Sequence, residues 1–202
     1  DHWHALASIL AAKAGKDVYS EKPCGITMGD CQELADTMNR YGRVFQAGTQ
    51  RRSIGNFRFA VDLARSGKLG RLHTMHASIY KLECNYSWLP AQPEPAKDVI
   101  DWDMWLGPTA KVPYRVENGK TNCHYEFRWW YEYSGGEMTG WGAHGFDQIQ
   151  CALGMDESGP VEIIHPKTGE FPTLTCKYAS GTLLHFVDHW GMVKDPYNAV
   201  PK

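Results

Sequence analysis

Asp17-Val18-Tyr19, running into Glu21-Lys22-Pro23, and Val44-Phe45-Gln46-Ala47-Gly48 are two short apolar runs, and what surrounds them decides the fold. Between them Cys31, Leu34, Ala35 and Met38 repeat at i, i+3, i+4 and i+7, with Gly29-Asp30 before and Gly42 after. That spacing, with those boundaries, predicts an amphipathic helix. Ahead of them Leu6, Ile9, Leu10 and Lys13 interleave with alanines, so a first helix is expected over 4–16 with Gly15 near its end as a stop signal. Pro23 disfavours a helical Lys22 and makes the Lys22-Pro23 bond a candidate for the cis form. Phe57, Ala60, Val61 and Ala64 mark a third helix that stops at Gly67. Helices alternating with short strands predict parallel pairing through helical crossovers. Residues 1–50 therefore read as the second half of a doubly wound parallel sheet, with the first half absent.

Beyond Gly70 the texture changes. Residues 71–81 alternate like a strand, a Trp- and Pro-rich stretch extends to about Tyr133, and one helix and three strand-like runs follow at 161–164, 171–178 and 182–187. Strands gathered together and separated by turns such as Lys167-Thr168-Gly169 predict an antiparallel sheet. The expected fold class is thus α/β plus α+β, with a second domain over 51–202 built on an open, mainly antiparallel sheet.

Composition narrows the function. The chain has 202 residues, 43% hydrophobic and 22% charged, enough for one large domain or two small ones. Lys plus Arg number 21 against 23 Asp plus Glu, a net charge of -2 with no block of either sign, so nucleic acid and membrane surfaces are not expected partners. No run approaches the ~20 apolar residues of a membrane span. Asp1-His2-Trp3-His4 lacks the pattern of a signal peptide. No compartment follows from this; the cytoplasm is favoured, with an exported parent left open. Cys24, Cys31, Cys84, Cys123, Cys151 and Cys176 are scattered without C-x-x-C pairs, and read as free thiols. The pairs His2/His4, His73/His76 and His185/His189 lack a completing carboxylate–cysteine set, so no metal site is expected.

Gly140-Trp141-Gly142-Ala143-His144-Gly145 spells G-x-G-x-x-G, the pattern of a dinucleotide-binding turn. That turn needs a strand running straight into the first glycine, whereas Ser134-Gly135-Gly136-Glu137 precedes it here. Met138, Gly142, Gly145, Ile149 and Leu153 instead place the segment in one amphipathic helix. Positions 140, 144, 147 and 151 share a stripe, so His144 and Asp147 point the same way. Two readings of His144 stay open on the residues alone: a general acid/base beside a carboxylate, or a buried, hydrogen-bonded histidine.

Several separated motifs stand in a characteristic order. These are Asp1-His2-Trp3-His4, Glu21-Lys22-Pro23, Gly42-Arg43-Val44-Phe45-Gln46 through Gly48-Thr49-Gln50-Arg51-Arg52, Lys68-Leu69-Gly70, Asp101-Trp102-Asp103-Met104-Trp105-Leu106-Gly107-Pro108, and Gly135-Gly136 through Trp141-Gly142-Ala143-His144. Together they resemble the glucose-fructose oxidoreductase / inositol dehydrogenase (Gfo/Idh/MocA) family over nearly the whole chain. The resemblance implies a nicotinamide-binding Rossmann domain, of which 1–50 is the C-terminal half, joined to a sheet domain that binds substrate and forms homo-oligomers. It also implies that the chain is truncated at both ends, with the glycine-rich phosphate loop lying before Asp1, so that the fragment itself is inactive.

By the same resemblance the protein transfers hydride between a sugar or polyol hydroxyl and NAD or NADP. Lys22 is implied as the active-site cation and His144 as the residue exchanging a proton with the hydroxyl. His4, Glu21, Lys22 and Gln50 are implied on the cofactor side, and Arg51, Trp141 and Asp147 on the substrate side. Lys22 and His144 are expected to converge at one cleft between the domains. One departure matters: the family commonly has aspartate where this chain has Gly140, which leaves two readings of Asp147, one turn beyond His144: it orients or charges the imidazole, or it is purely structural. Redox-assisted cleavage of a glycosidic bond, or a non-catalytic cofactor-binding role, are the alternatives.

Overall fold

The computed structural model describes residues 1–79, 89–168 and 170–187. Cys84, Gly169, His189 and the Tyr80-Lys81 end of the expected strand lie outside the described residues. In chain order the elements are α1 (His4–Lys13), β1 (Val18–Glu21), α2 (Met28–Tyr41), β2 (Phe45–Gly48), α3 (Gly55–Arg65) and β3 (Thr74–Ser78). There follow α4 (Trp102–Leu106), β4 (Val116–Glu117), β5 (Lys120–Thr121), α5 (Trp141–Leu153), β6 (Glu162–Ile164), β7 (Thr175–Lys177) and β8 (Leu183–Val187). Short 3-10 turns stand at Gln50–Ser53, Glu126–Trp129 and Gly136–Met138. The described residues form two compact units, 1–48 with 89–140 and 49–79 with 141–187.

In the first unit β1 and β2 pair in parallel, with Val18 opposite Phe45 and Glu21 opposite Gly48. Helices α1 and α2 build the core beside them: Ile9, Ala12, Leu34 and Met38 are buried, with Val18, Cys24 and Phe45 packed against them. Helix α2 begins at a capping box, in which the Asp30 amide donates to Thr27 Oγ1 and the Thr27 amide to the Asp30 carboxylate. It ends at Gly42 in the left-handed region, φ 60°. Helix α1 stops at Lys13, before the expected Lys16, because Gly15 turns left-handed and the Gly15 and Lys16 amides reach back to the Ala12 and Ala11 carbonyls. Two paired strands do not by themselves make a doubly wound sheet.

The Trp-rich stretch, which the sequence reading grouped with 51–202, packs with 1–48. Its core holds Leu89, Trp102, Leu106, Cys123, Trp130 and Tyr133, with Trp102 and Trp105 stacked at 4.9 Å. Asn122, fully buried, is satisfied at both ends of its amide: Oδ1 accepts from the Arg115 amide, and Nδ2 donates to the Pro113 carbonyl and Tyr133 hydroxyl. The start of α1 is pinned here, because Trp3 Nε1 donates to the Trp105 carbonyl at 3.0 Å and His2 Nε2 meets the same oxygen at 2.7 Å. Gly107, at φ +51°, lies against the Trp3 ring, which any Cβ would overlap.

In the second unit the sheet order is β3-β8-β7-β6. β8–β7 and β7–β6 are antiparallel as expected, whereas β3–β8 is parallel. β3 and β8 are far apart in sequence and need no hairpin, so the long connection through α5 permits that direction. β7 is three residues long where a run over 171–178 was expected: Pro172 offers no amide to a ladder before it, and after it the Tyr178 amide turns to the Thr182 carbonyl at 2.9 Å. His185, stacked on His76 and paired with Thr175 Oγ1 at 2.8 Å, is a buried residue of this sheet. Helix α5 lies against α3 and β3. A Cβ on Gly145 would meet Ala77, and one on Gly142 would meet Phe146 and Ile79, so these two glycines let α5 approach the strand closely. The G-x-G-x-x-G pattern is thus helical, with Gly140 just before α5, as the amphipathic spacing predicts.

Candidate functional site

β1 carries the chain to Lys22. At the end of that strand Glu21 stands opposite Gly48, and a Cβ on Gly48 would fall 3.0 Å from Glu21, so a side chain there would wedge the two strands apart. Lys22 follows at the carboxyl end of the parallel pair, and its peptide bond to Pro23 is cis. His4 steadies this turn from α1 by donating from Nδ1 to the Pro23 carbonyl at 2.7 Å. Burial lowers the His4 pKa, and the hydrogen bond to Pro23 works against that shift.

The Lys22 ammonium donates to the Gly140 carbonyl at 2.7 Å. Three residues before Gly140, on the 3-10 turn, Glu137 is only 8% exposed. Its Oε1 is 3.7 Å from Arg128 Nη1, and its Oε2 is buried without a hydrogen-bond partner. Burial raises the Glu137 pKa, while Arg128 and Lys22 pull it back down. A Cβ placed on Gly140 would stand 3.2 Å from the Gly136 carbonyl oxygen and 3.8 Å from Glu137 Oε2. A separate cavity of about 450 Å³ in this unit is lined by His2, Leu6, Thr27, Asp30, Tyr131 and Ser134 among others, and Lys22 is not part of its wall.

The second unit holds the remaining expected residues. His144 is half-buried on the first turns of α5, with Trp141 edge-on to it at 6.2 Å between ring centroids. The Arg51 guanidinium lies over Trp141 at 5.4 Å and over Phe57 at 5.2 Å, beside Gln50 on the 3-10 turn. Asp147 is engaged by Arg52: Nε donates to both carboxylate oxygens at 2.8 Å, and Nη2 lies 2.6 Å from Oδ1. Arg52 Nη2 also reaches Asp156 at 2.8 Å. The hydrogen bond to Asp147 holds the Arg52 guanidinium well above its ordinary pKa.

The structure thus brings His4 to the Lys22-Pro23 turn in one unit, and Arg51, Trp141 and His144 together in the other. It adds three residues that sequence reasoning passed over: Arg52, Glu137 and Arg128. Arg52 stands in the quoted Gln50-Arg51-Arg52 run, and Glu137 lies three positions ahead of Gly140, the only hints the sequence carries of either.

Residues 65–184, more than half of the chain, match the C-terminal alpha/beta domain of the Gfo/Idh/MocA oxidoreductase family. The chain belongs to this family. Among curated Gfo/Idh/MocA-like relatives, it is 30% identical over 78 residues to a 2,7-anhydro-N-acetylneuraminate hydratase from Mediterraneibacter gnavus, spanning 39% of this chain and 21% of that one. It is 31% identical over 107 residues to inositol 2-dehydrogenase 3 from Saccharopolyspora erythraea, spanning 51% and 31%. Its fold is similar to that of the WlbA dehydrogenase from Chromobacterium violaceum, solved with NADH and UDP-GlcNAcA, with a TM-score of 0.55 and 17% identity over 91% of this chain and 44% of that one. The matches therefore span from a fifth to under half of these relatives' lengths.

Proposed function

We propose that the full-length protein transfers hydride between a sugar or polyol hydroxyl and NAD or NADP, with Lys22 as the cation at the reacting oxygen and His144 as the proton carrier. The observation that carries this reading is Lys22 itself, a partly buried ammonium held by the Gly140 carbonyl at the carboxyl end of two parallel strands. In open α/β folds ligands bind at that edge. In this reading residues 1–50 are the C-terminal half of a Rossmann domain, and 51–202 supply substrate contacts and a homo-oligomer surface.

The residues present fit a nicotinamide. A cation stands at the strand end, and His4, its pKa lowered by burial, can stay neutral beside it. His4, Glu21, Lys22 and Gln50 are the proposed cofactor contacts. A bound nicotinamide would supply the hydride acceptor. The chain's own part is electrostatic and protonic. Lys22 offsets the negative charge that grows on the substrate oxygen as its proton leaves. His144 takes that proton. Arg51, stacked on Trp141, would present a cation and an aromatic face to the sugar.

A second reading, redox-assisted bond cleavage, draws support from the similarity to a protein named as a hydratase and from the absence of a side chain at Gly140. The two readings separate on one assay of the full-length protein. Reduced nicotinamide accumulating on addition of sugars or polyols supports dehydrogenation, and released aglycone without net reduction supports cleavage. Cofactor binding with neither product supports a non-catalytic homologue. For the leading reading, His144→Ala should lower turnover by roughly 10²- to 10⁴-fold with little change in cofactor affinity. Unchanged turnover would remove His144 from the reaction.

A further inference from the structure

We infer that Glu137 is the carboxylate partner of Lys22, a positioning residue that holds the ammonium charged and in place at the Gly140 carbonyl. The inference rests on the reading of Lys22 as the active-site cation. Four observations within one unit carry it. The Lys22 ammonium is 2.7 Å from the Gly140 carbonyl oxygen. The Gly140 amide closes back onto the Gly136 carbonyl at 2.9 Å, a turn that folds Glu137 over residue 140. Position 140 has no side chain, and Glu137 Oε2 stands 3.8 Å from where one would begin, so the Glu137 carboxylate faces the space in front of Gly140. The carboxyl is more than nine-tenths buried, with Oε2 making no hydrogen bond.

The energetics favour a role over a structural accident. A buried carboxylate is costly unless paired, and Arg128 at 3.7 Å is beyond ordinary hydrogen-bond length. An apolar side chain of similar size would fill the same space at lower cost. The charged groups that act on Glu137 are Arg128 and Lys22. Arg128 meets only Oε1, through Nη1, while its Nε donates to the Tyr125 carbonyl and its guanidinium lies over the Tyr125 ring at 4.1 Å. Oε2, the oxygen on the Gly140 side, is left without a partner, and Lys22, held at the Gly140 carbonyl, is the second cation that acts on this carboxyl.

The test compares Glu137→Gln with the unaltered full-length protein. The variant should lower kcat by about 10- to 100-fold, as loss of an orienting partner commonly does, with KM for the nicotinamide changed far less. The proton affinity of Lys22, followed by NMR of the ¹³C-labelled lysine, should fall by about tenfold. Adding Gly140→Asp to Glu137→Gln places a carboxylate in the same space and should restore part of both. Unchanged kcat together with an unchanged Lys22 titration overturns the inference. If the unaltered protein turns over no sugar or polyol, the proposed function fails separately, and the Lys22 titration alone then decides the pairing. Should Glu137→Gln fail to fold, Glu137→Asp, which withdraws the carboxylate by one methylene, should shift the Lys22 titration in the same direction, and no shift overturns the pairing.

Discussion

Two carboxylates flank the start of α5, and the protein treats them in opposite ways. Asp147 is saturated: one guanidinium meets both of its oxygens at 2.6–2.8 Å, and the same guanidinium holds Asp156. Glu137 is more deeply buried, yet its nearest cation is 3.7 Å away on one oxygen and its other oxygen is unpartnered. A carboxylate with a bidentate arginine partner has spent its hydrogen-bonding capacity on the fold. One kept buried and under-satisfied carries a cost that the fold alone does not offset, and such groups concentrate at functional sites. Proximity to His144 in sequence therefore favours Asp147, while local chemistry favours Glu137.

The sharpest way to break this contrast is to remove Arg52. Arg52→Ala leaves Asp147, 16% exposed, without its cation, and should destabilise the second unit by about 1–2 kcal/mol. Part of that loss is screened, because Arg52 and Asp156 are more than a third exposed. Denaturant midpoints read the effect, and an unchanged midpoint would mean that the ion pair contributes nothing.

Asp147→Asn should cost less, about 1 kcal/mol, since Asp156 still engages Arg52 and the amide can accept one of the lost hydrogen bonds. Turnover in the full-length protein should change by less than about threefold, the margin expected when no reacting group is touched. A large fall in turnover at unchanged stability would return Asp147 to the substrate side.

The smallest effect has the opposite sign. Burial raises the Glu137 pKa, so the native state holds its proton more tightly than the unfolded chain does. That stabilising contribution is present below the ordinary glutamate range and is lost as pH rises through the raised value. Glu137→Gln keeps a neutral side chain at every pH. The variant should therefore gain stability relative to the unaltered protein as pH rises above the ordinary glutamate range, read from denaturant midpoints across a pH series. A gap that closes as pH rises would show that the native pairing lowers the carboxyl instead.

What the sequence determined by itself lies where neighbours along the chain decide the outcome. Thr27 and Asp30 cap α2 three positions apart, Gly42 closes it, and Pro23 breaks the chain just after β1, all within one or two turns of backbone. The helix of His144 was legible through its literal glycine motif because the 3.6-residue spacing of apolar and small positions extends through it. Lys22 was placed at a strand end for the same local reason. The tertiary structure alone decided the rest. Aromatic residues over 89–140 carry no period, so their packing with 1–48 through Trp3, Trp105 and Gly107 could not be read from spacing. The partner of Asp147 lies 95 positions away, and charge has range but no address in a sequence. Glu137 was invisible for the converse reason: its meaning comes from what it does not touch, and satisfaction of a buried oxygen is defined only once the chain has folded around it.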